Sequence, residues 1–198
     1  RFIYRIIKRP FAILTRLKRK YCYFIFPNLY FLLSKKLKCD KYPKCQQKVL
    51  LTGQGNIEIG HKCKFGYKLG GFNKYGTIEI QPRYKNSKIV FGSNIHTNNN
   101  IVFCAANYIE IGDDTLIGQY VTIMDFEAHG IEPERRRELG AIGKVIIGRN
   151  VWIGNNVTIL KNSEVGDNSI IATGAVVSGK FPNNVVIGGV PAKIIKTI

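Results

Sequence analysis

One short stretch of the sequence combines a histidine with two carboxylates, Asp125-Phe-Glu-Ala-His129. A histidine titrates near neutral pH, so its neutral ring can take the proton from a weakly acidic hydroxyl group. Asp125 or Glu127 could fix the tautomer of such a base, as the third member of a catalytic triad does. A lone histidine in a loop is more often an ordinary surface residue, so this stretch alone predicts only a candidate base.

The other two histidines give little support to a metal site. His61 and His96 lie 35 residues apart and 33 residues separate His96 from His129, so the sequence contains no local pair of ligands. His61 falls in a predicted turn, and His96 lies in a β stretch that leads into three consecutive asparagines, residues 98–100, which are typical of stacked turns. We therefore expect no metal ion.

The elements that must position these residues belong to a six-residue repeat. Its aliphatic residues are spaced six apart, whereas an α-helix repeats every 3.6 residues and a surface strand every second residue. Repeats of this kind mark parallel β-helices, in which each aliphatic side chain points into a narrow core and Gly, Asn or Asp forms the turn. The repeat comprises Ile147, Ile153, Ile159, Val165, Ile171 and Val177.

A looser form of the repeat precedes this region and is interrupted once. The pattern starts near Val49, and its register shifts by two residues between Ile109 and Ile111, which predicts a β-bulge near Tyr108. After Ile123 the repeat stops, and it resumes at Ile147. Residues 124–146 therefore form an insertion, and insertions in solenoids are loops that often lie on the binding face. Its clustered Arg and Glu residues indicate a solvated, mobile segment.

Length and composition favour one domain with an appendage. We predict an N-terminal helical, basic and apolar segment with a linker at residues 1–45, a β-helix at residues 46–190, and a tail at residues 191–198. The five cysteines lack disulfide or metal spacing, so we interpret them as reduced thiols. With no cleavable signal peptide visible, these features favour a cytoplasmic location.

The charge is concentrated in the first fifth of the chain. Residues 1–39 contain eleven Lys or Arg and no acidic residue, interleaved with aromatic and aliphatic residues. The longest uncharged run, residues 21–34, is shorter than the roughly 20 residues that cross a bilayer. Peripheral contact with the anionic inner face of the plasma membrane is one interpretation. A cap on the solenoid end with a subunit contact is the other, and nucleic acid is disfavoured because no base-reading motif occurs.

Several longer motifs together resemble the hexapeptide-repeat O-acetyltransferases of the galactoside, maltose and nodulation-factor type. The resemblance covers residues 91–196 and rests on SNIHTNNN, IEIGDDTLIGQYVTI with the following AHG, IIGRNVWIGNNVTIL, and VGDNSIIATGAVVSGKFPNNVVIGGVPAKIIK. It implies an all-β, left-handed parallel β-helix assembled as a homotrimer, with active sites between subunits. It also implies direct acetyl transfer from acetyl-CoA to a sugar hydroxyl.

The resemblance also implies roles for individual residues. His129 matches the catalytic base of the family and Asn98 its active-site asparagine, while Asp125 and Glu127 are expected to act beside the base and toward the acceptor. Positions expected to contact acetyl-CoA are Asn155, Thr173, Ser178 and Gly179, with Lys193 and Lys196 at its nucleotide end.

Two departures from the sugar enzymes bear on the acceptor. The DFxxH form of the loop looks like the branch that acts on capsular and lipopolysaccharide glycans, and the N-terminal segment is basic instead of acidic. We therefore expect a cell-surface glycan or its sugar precursor as the acceptor. The alternatives are a serine or antibiotic acetyltransferase, a metal-bearing β-helix like the γ-carbonic anhydrases, and a non-catalytic scaffold.

Overall fold

The computed structural model describes residues 2–198, with side chains described from Phe11 onward. The chain forms a left-handed parallel β-helix with three faces, as expected. Sheet A contains β1 (Leu37–Cys39), β4 (Asn56–Ile59), β7 (Lys88–Phe91), β10 (Tyr108–Ile111), β13 (Lys144–Ile147), β16 (Ser163–Val165) and β19 (Lys180–Phe181). Sheet B contains β2 (Lys44–Cys45), β5 (Lys64–Phe65), β8 (His96–Thr97), β11 (Leu116–Ile117), β14 (Trp152–Ile153), β17 (Ile170–Ile171), β20 (Val185–Gly189) and β21 (Ala192–Thr197). Sheet C contains β3 (Lys48–Leu51), β6 (Thr77–Pro82), β9 (Val102–Ala105), β12 (Thr122–Met124), β15 (Thr158–Ile159) and β18 (Val176–Val177).

The core is a stack of inward-facing side chains, one from each face of each coil. On sheet B the column runs through Phe65, Thr97, Ile117, Ile153, Ile171 and Ile187. Every member of this column is buried, as are the corresponding residues of sheet C. Burial of apolar area in these columns is the main stabilising contribution of the fold. The six-residue spacing therefore predicted the core correctly.

The corners between faces require a left-handed backbone at a fixed position. The third residue after the inward side chain has φ near +60°, as at Asn94, Asn150 and Asn168 after sheet A and at Asn156 after sheet B. Asparagine enters this region more readily than most residues because its short polar side chain can hydrogen-bond locally. The prediction that Asn, Asp or Gly forms the turns is confirmed.

The coils differ in length mainly at the corner that joins sheet C to sheet A. The inward residue Ile111 of β10 comes eight positions after Phe103, the inward residue of β9. In a later coil the equivalent step, from Ile159 to Val165, is only six positions. Strand β10 nevertheless pairs in continuous register with both β7 and β13. The predicted bulge at Tyr108 is therefore wrong, because the two extra residues widen a corner, where no ladder is interrupted.

Both predicted ends of the solenoid differ from the structure. Strands β1 and β2 already form the first coil, so the coils begin before the predicted boundary at residue 46, and Pro43 sits in a corner instead of a linker. Strand β21 covers most of the predicted tail at residues 191–198 and pairs antiparallel with β20. An antiparallel last strand is compatible with closing the exposed edge of sheet B.

A helical segment precedes the first coil. It consists of α1 (Phe2–Lys20), a π-helical turn (Tyr21–Ile25), a 3-10 turn (Phe26–Asn28) and α2 (Leu29–Leu33). Phe24 and Phe31 are fully buried over the open end of the core. The buried amide of Asn28 donates to Val49 O at 2.9 Å and accepts from Leu51 N at 2.7 Å, which satisfies the edge of sheet C. Residues 21–33 are thus a cap, as one of the two interpretations predicted.

The helices in the described part of the chain are too short or too polar to cross a membrane. Ile3 and Ile7 are among the aliphatic residues interleaved with the basic ones, and their side chains fall outside the described ones.

Candidate active site

The insertion at residues 124–146 is an ordered hairpin, and we refer to it as the hairpin. Its two arms are joined by the bridge between Phe126 and Ile142 and by hydrogen bonds from Glu127 N to Ala141 O, 2.9 Å, and from Gly140 N to Glu127 O, 3.0 Å. Its tip contains the 3-10 turn Pro133–Arg135. These bonds hold the backbone on both sides of His129 in one arrangement.

The hairpin leans against the outer surface of sheet C. Phe126 is buried against Cys104 and Ala106, and the guanidinium of Arg83 lies 4.9 Å from the centre of its ring. Leu139 packs on the same cluster from the returning arm. The position of His129 is therefore coupled to the face of the solenoid by an apolar contact and a cation–π contact.

The imidazole of His129 is exposed and has one close partner. Its Nδ1 lies 2.8 Å from the carbonyl oxygen of Arg136, across the tip of the hairpin. A carbonyl oxygen can only accept, so Nδ1 carries the proton. Whenever the ring is neutral, Nε2 is therefore the unprotonated nitrogen, which is the form that a general base requires.

Asp125 does not orient His129, contrary to one expectation. Its side chain is fully buried and accepts hydrogen bonds from the backbone N–H groups of Ala106, at 2.6 Å, Asn107, at 2.9 Å, and Tyr108, at 2.6 Å. Burial raises the pKa of Asp125, and the three N–H donors oppose that rise. These donors belong to the widened corner, so Asp125 stabilises the turn that the two extra residues create.

Glu127 also points away from His129. Its carboxylate pairs with Lys161 at 3.1 Å and accepts from Ala141 N at 3.2 Å. The hydrogen bond from Lys161, followed by that from Ala141 N, lowers the pKa of Glu127. Glu127 therefore ties the hairpin to the corner of the following coil, and its predicted contact with the acceptor stays a prediction.

Asn98 lies at the corner between sheets B and C and lines a groove of about 270 Å³. Its Oδ1 accepts from Asn99 N at 2.9 Å, and among the described residues none accepts a hydrogen bond from its Nδ2. The side-chain N–H group of Asn98 is thus available to an oxygen of a bound molecule. The excursion at residues 66–76 closes over the same corner, where Asn99 donates to Tyr67 O at 2.9 Å.

The groove also contains two residues that the sequence analysis did not select. His96 and Trp152 occupy equivalent positions on the outer face of sheet B, with Leu116 between them in the stack. Burial and then the nearby charge of Lys64 lower the pKa of His96, and within the described residues its Nε2 has no hydrogen-bond partner. Both residues come one position before the inward side chain of a sheet B strand, so the six-residue spacing could have placed them on the same outer face.

Two of the expected acetyl-CoA positions extend the corner of Asn98 along the solenoid. Asn155 Oδ1 accepts from Gln119 N at 2.9 Å, and the hydroxyl of Thr173 accepts from Asn155 N at 3.3 Å. Each side chain thus receives the N–H of the coil before it. The structure places Asn98, Asn155 and Thr173 along one corner, as a continuous polar edge.

The remaining expected positions lie elsewhere. Ser178 and Gly179 follow β18 at the corner between sheets C and A, where Gly179 O accepts from Glu164 N at 3.0 Å. Lys193 and Lys196 are exposed on β21, at the far edge of sheet B. Five strand steps at about 4.8 Å place Lys193 roughly 24 Å along the axis from the coil of Asn98.

The candidate residues therefore form two groups at two different corners of one chain. His129, Ser178 and Gly179 belong to the corner between sheets C and A, and Asn98 belongs to the corner between sheets B and C. No contact between described residues joins His129 to Asn98. Among the described residues, no group of three or more His, Cys, Asp or Glu side chains is placed to hold a metal ion. His61, for example, pairs with Asp40 at 3.1 Å.

Curated relatives resemble the chain over part of its length. Galactoside O-acetyltransferase of Escherichia coli (strain K12) is 37% identical over 114 residues, which are 57% of this chain and 55% of that protein. The putative lipopolysaccharide biosynthesis O-acetyl transferase WbbJ of the same organism is 37% identical over 120 residues, which are 54% of this chain and 60% of that protein. The chain thus spans just over half the length of these relatives.

Solved structures share the fold over most of the chain. A maltose O-acetyltransferase from Clostridium difficile 630 superposes with a TM-score of 0.60 at 24% identity, covering 98% of this chain and 87% of that one. A galactoside acetyltransferase in complex with coenzyme A gives 0.54 at 23% identity, covering 92% and 80%. Residues 144–179 match the family model described as bacterial transferase hexapeptide (six repeats). These matches confirm the resemblance to hexapeptide-repeat acetyltransferases that the motifs predicted.

Proposed function

We propose that the protein is an O-acetyltransferase that moves the acetyl group of acetyl-CoA to a hydroxyl of a cell-surface glycan or its sugar precursor. The observation that carries this proposal is the fixed tautomer of His129, whose Nδ1–H donates to Arg136 O and leaves Nε2 free. An acetyl transfer to a hydroxyl needs such a base, because the hydroxyl is a poor nucleophile until its proton is removed.

The transfer follows from this arrangement in one ternary complex. His129 Nε2 removes the proton of the hydroxyl as that oxygen attacks the acetyl thioester, and the new Nε2–H then protonates the departing thiolate of CoA. Asn98 Nδ2 donates to an oxygen of the reacting groups, since it has no acceptor among the described residues. No acyl-enzyme is required, and holding both substrates together lowers the entropic part of the barrier.

We propose a cyclic homotrimer in which the active site lies between two subunits. Within one chain, His129 and Asn98 lie at different corners of the solenoid. His129 belongs to the hairpin, which follows a strand of sheet C, whereas Asn98 lies between a strand of sheet B and the next strand of sheet C. A neighbour that presents its corner of Asn98, Asn155 and Thr173 to the hairpin would complete the site. Lys193 and Lys196 at the end of the same face would meet the phosphates of CoA, as compact cations suit.

The acceptor class rests on two observations that agree. WbbJ, a relative at 37% identity, is named for lipopolysaccharide biosynthesis, and the DFxxH form of the hairpin points to the same branch. We further propose that the growing glycan is presented at the inner face of the plasma membrane, where a cytoplasmic enzyme reaches it through peripheral contact of residues 1–39.

A transfer assay tests the function directly. The full chain would be incubated with radiolabelled acetyl-CoA and either purified cell-envelope glycan precursors, free galactosides, serine or an aminoglycoside. Label that moves to the glycan precursors and is released from them by mild alkali supports an O-acetyl ester on a glycan. Label that moves only to serine or the aminoglycoside, or to none of the acceptors, contradicts the proposal.

A further inference from the structure

Among residues 11–20, the part of α1 whose side chains are described, three apolar side chains face away from the protein. Ile13, Leu14 and Leu17 are 58%, 61% and 47% exposed and do not line the groove between α1 and the first coil. The basic side chains Arg16, Arg19 and Lys20 do line this groove, together with Phe11. An ordinary surface helix buries the apolar side and exposes the charged one.

The groove between α1 and the first coil is large and strongly basic. Its volume is about 1130 Å³, and Asp40 is its only acidic lining residue. Six cations line it: Arg16, Arg19, Lys20, Lys41, Lys44 and Lys68. Within the described part of the chain, none of the six forms an ion pair with a carboxylate, and Asp40 is occupied by His61 at 3.1 Å.

A second exposed apolar set lies on the cap that follows α1. Phe26, Leu29, Tyr30 and Leu33 are exposed although their neighbours Phe24 and Phe31 are fully buried. Capping the core therefore accounts for only part of the apolar residues in this segment. The remaining ones are exposed to solvent, as Ile13, Leu14 and Leu17 of α1 are, and Lys35 and Lys36 follow Ser34 at the end of the cap.

We propose that this groove is a binding site for the phosphate headgroups of anionic lipids, with the outward side chains of α1 and the cap inserted among the acyl chains. Phosphate complements six cations that form no ion pair among the described residues, and guanidinium groups bind its oxygens in pairs. Leu14, Leu17 and Leu33 lose their exposure to water once they enter the leaflet.

A second copy of the chain fits this surface less well. A contact between two such grooves would bring like charges together, which is unfavourable across an interface. An anionic leaflet supplies negative charge for the cations of the groove and an apolar phase for the exposed apolar side chains of α1 and the cap. The inference rests on the proposed membrane location but not on acetyl transfer, because lipid binding is measured without acetyl-CoA.

Vesicle flotation of the full chain tests the site. Vesicles of phosphatidylcholine with phosphatidylglycerol are compared with vesicles of phosphatidylcholine alone, for three proteins with verified folding. These are wild type, the groove variant Arg16→Glu/Arg19→Glu/Lys44→Glu, and a control with the same charge change at exposed residues outside the groove, Lys62→Glu/Lys74→Glu/Lys85→Glu. We expect wild type and control to bind the anionic vesicles, and the groove variant to bind at least about tenfold more weakly.

Two further arms separate the competing explanations. Leu14→Ser/Leu17→Ser should weaken vesicle binding while the oligomeric mass of the lipid-free protein stays the same. If the variant instead dissociates into smaller oligomers, this face binds a second copy of the chain and the lipid proposal is wrong. Sodium pyrophosphate is titrated at constant ionic strength. If it binds the groove while anionic vesicles do not, a soluble phosphate compound is the ligand and the lipid site is wrong. Equal binding of the groove and control variants, or equal binding to neutral vesicles, also overturns the proposal.

Discussion

The Nδ1 atom of His129 lies 2.8 Å from the carbonyl oxygen of Arg136, seven residues further along the same hairpin. This contact replaces the carboxylate that a catalytic triad uses to orient its histidine. The carbonyl fixes the same tautomer without a buried negative charge beside the ring. His129 therefore keeps this tautomer only while the two arms of the hairpin stay together.

Asp125 should act on stability and not on chemistry. Its carboxylate accepts three backbone N–H bonds at the widened corner, so Asp125→Ala is expected to lower the free energy of unfolding by about 2–4 kcal/mol. Urea denaturation measures this, with Glu134→Ala as a control in the exposed part of the hairpin. Unchanged stability together with lost turnover would restore Asp125 to the catalytic group.

Glu127 should stabilise the hairpin at every pH at which its carboxyl group is ionised. Lys161 and Ala141 N lower the pKa of Glu127 in the folded protein, so its contribution is complete above the unfolded value, about 4.3, and is lost as pH falls through the lower folded value. Glu127→Gln should reduce the hydrogen-exchange protection of the Gly140 and Ala141 amides at neutral pH.

The control for this prediction is Glu134→Gln, which changes a hairpin glutamate that forms no ion pair among the described residues. It should leave the protection of both amides as in wild type. Equal protection in wild type and Glu127→Gln at neutral pH would show that the bridge and the backbone bonds alone hold the hairpin.

Lys193 and Lys196 should contribute to binding of acetyl-CoA and not to binding of the glycan. Both are exposed on β21, along the face that carries the corner of Asn98. Changing both to Glu should raise the KM for acetyl-CoA about tenfold or more, since loss of a charge-assisted hydrogen bond costs roughly 1.5–3 kcal/mol. Initial rates at varied acetyl-CoA, with Lys74→Glu/Lys85→Glu as the charge control, measure the effect. Superimposable curves would remove the two lysines from the site.

Mixing inactive subunits tests whether two chains share a site. His129→Ala and Asn98→Ala subunits carrying different tags would be co-expressed and the mixed oligomer isolated. If each site takes His129 from one subunit and Asn98 from the next, every isolated mixed trimer keeps one intact site, about one third of the total. Activity restored to about that level supports the shared site, whereas no recovery would place both residues in one chain.

The sequence predicted the solenoid well because its period reports the geometry directly. The inward aliphatic residues of the regular coils, such as Ile153 and Ile171 on sheet B, follow from spacing alone, and asparagine was expected at corners such as Asn150. The two-residue shift at Ile111 was also visible in the sequence. Its interpretation as a bulge failed because spacing does not distinguish a strand irregularity from a longer corner.

The candidate site was predicted less completely, for physical reasons. The partner of His129 is a backbone carbonyl, which every residue has, so no side chain at Arg136 could reveal it. Asp125 and Glu127 stood close to His129 in the sequence, but closeness in sequence does not fix the direction of a side chain in an irregular hairpin arm. Asp125 turns into the widened corner and Glu127 toward Lys161.

The turnover of His129→Ala and His129→Gln measures the central claim most directly. Each variant would be assayed for acetyl transfer to the glycan acceptor at saturating acetyl-CoA, with CoA binding measured by calorimetry and the assembly by sedimentation. General-base catalysis contributes about 10²–10⁴-fold, so both variants should lose at least about a hundredfold in kcat while CoA affinity and oligomeric state remain as in wild type. Turnover within a few-fold of wild type in either variant would contradict the assignment of His129 as the base.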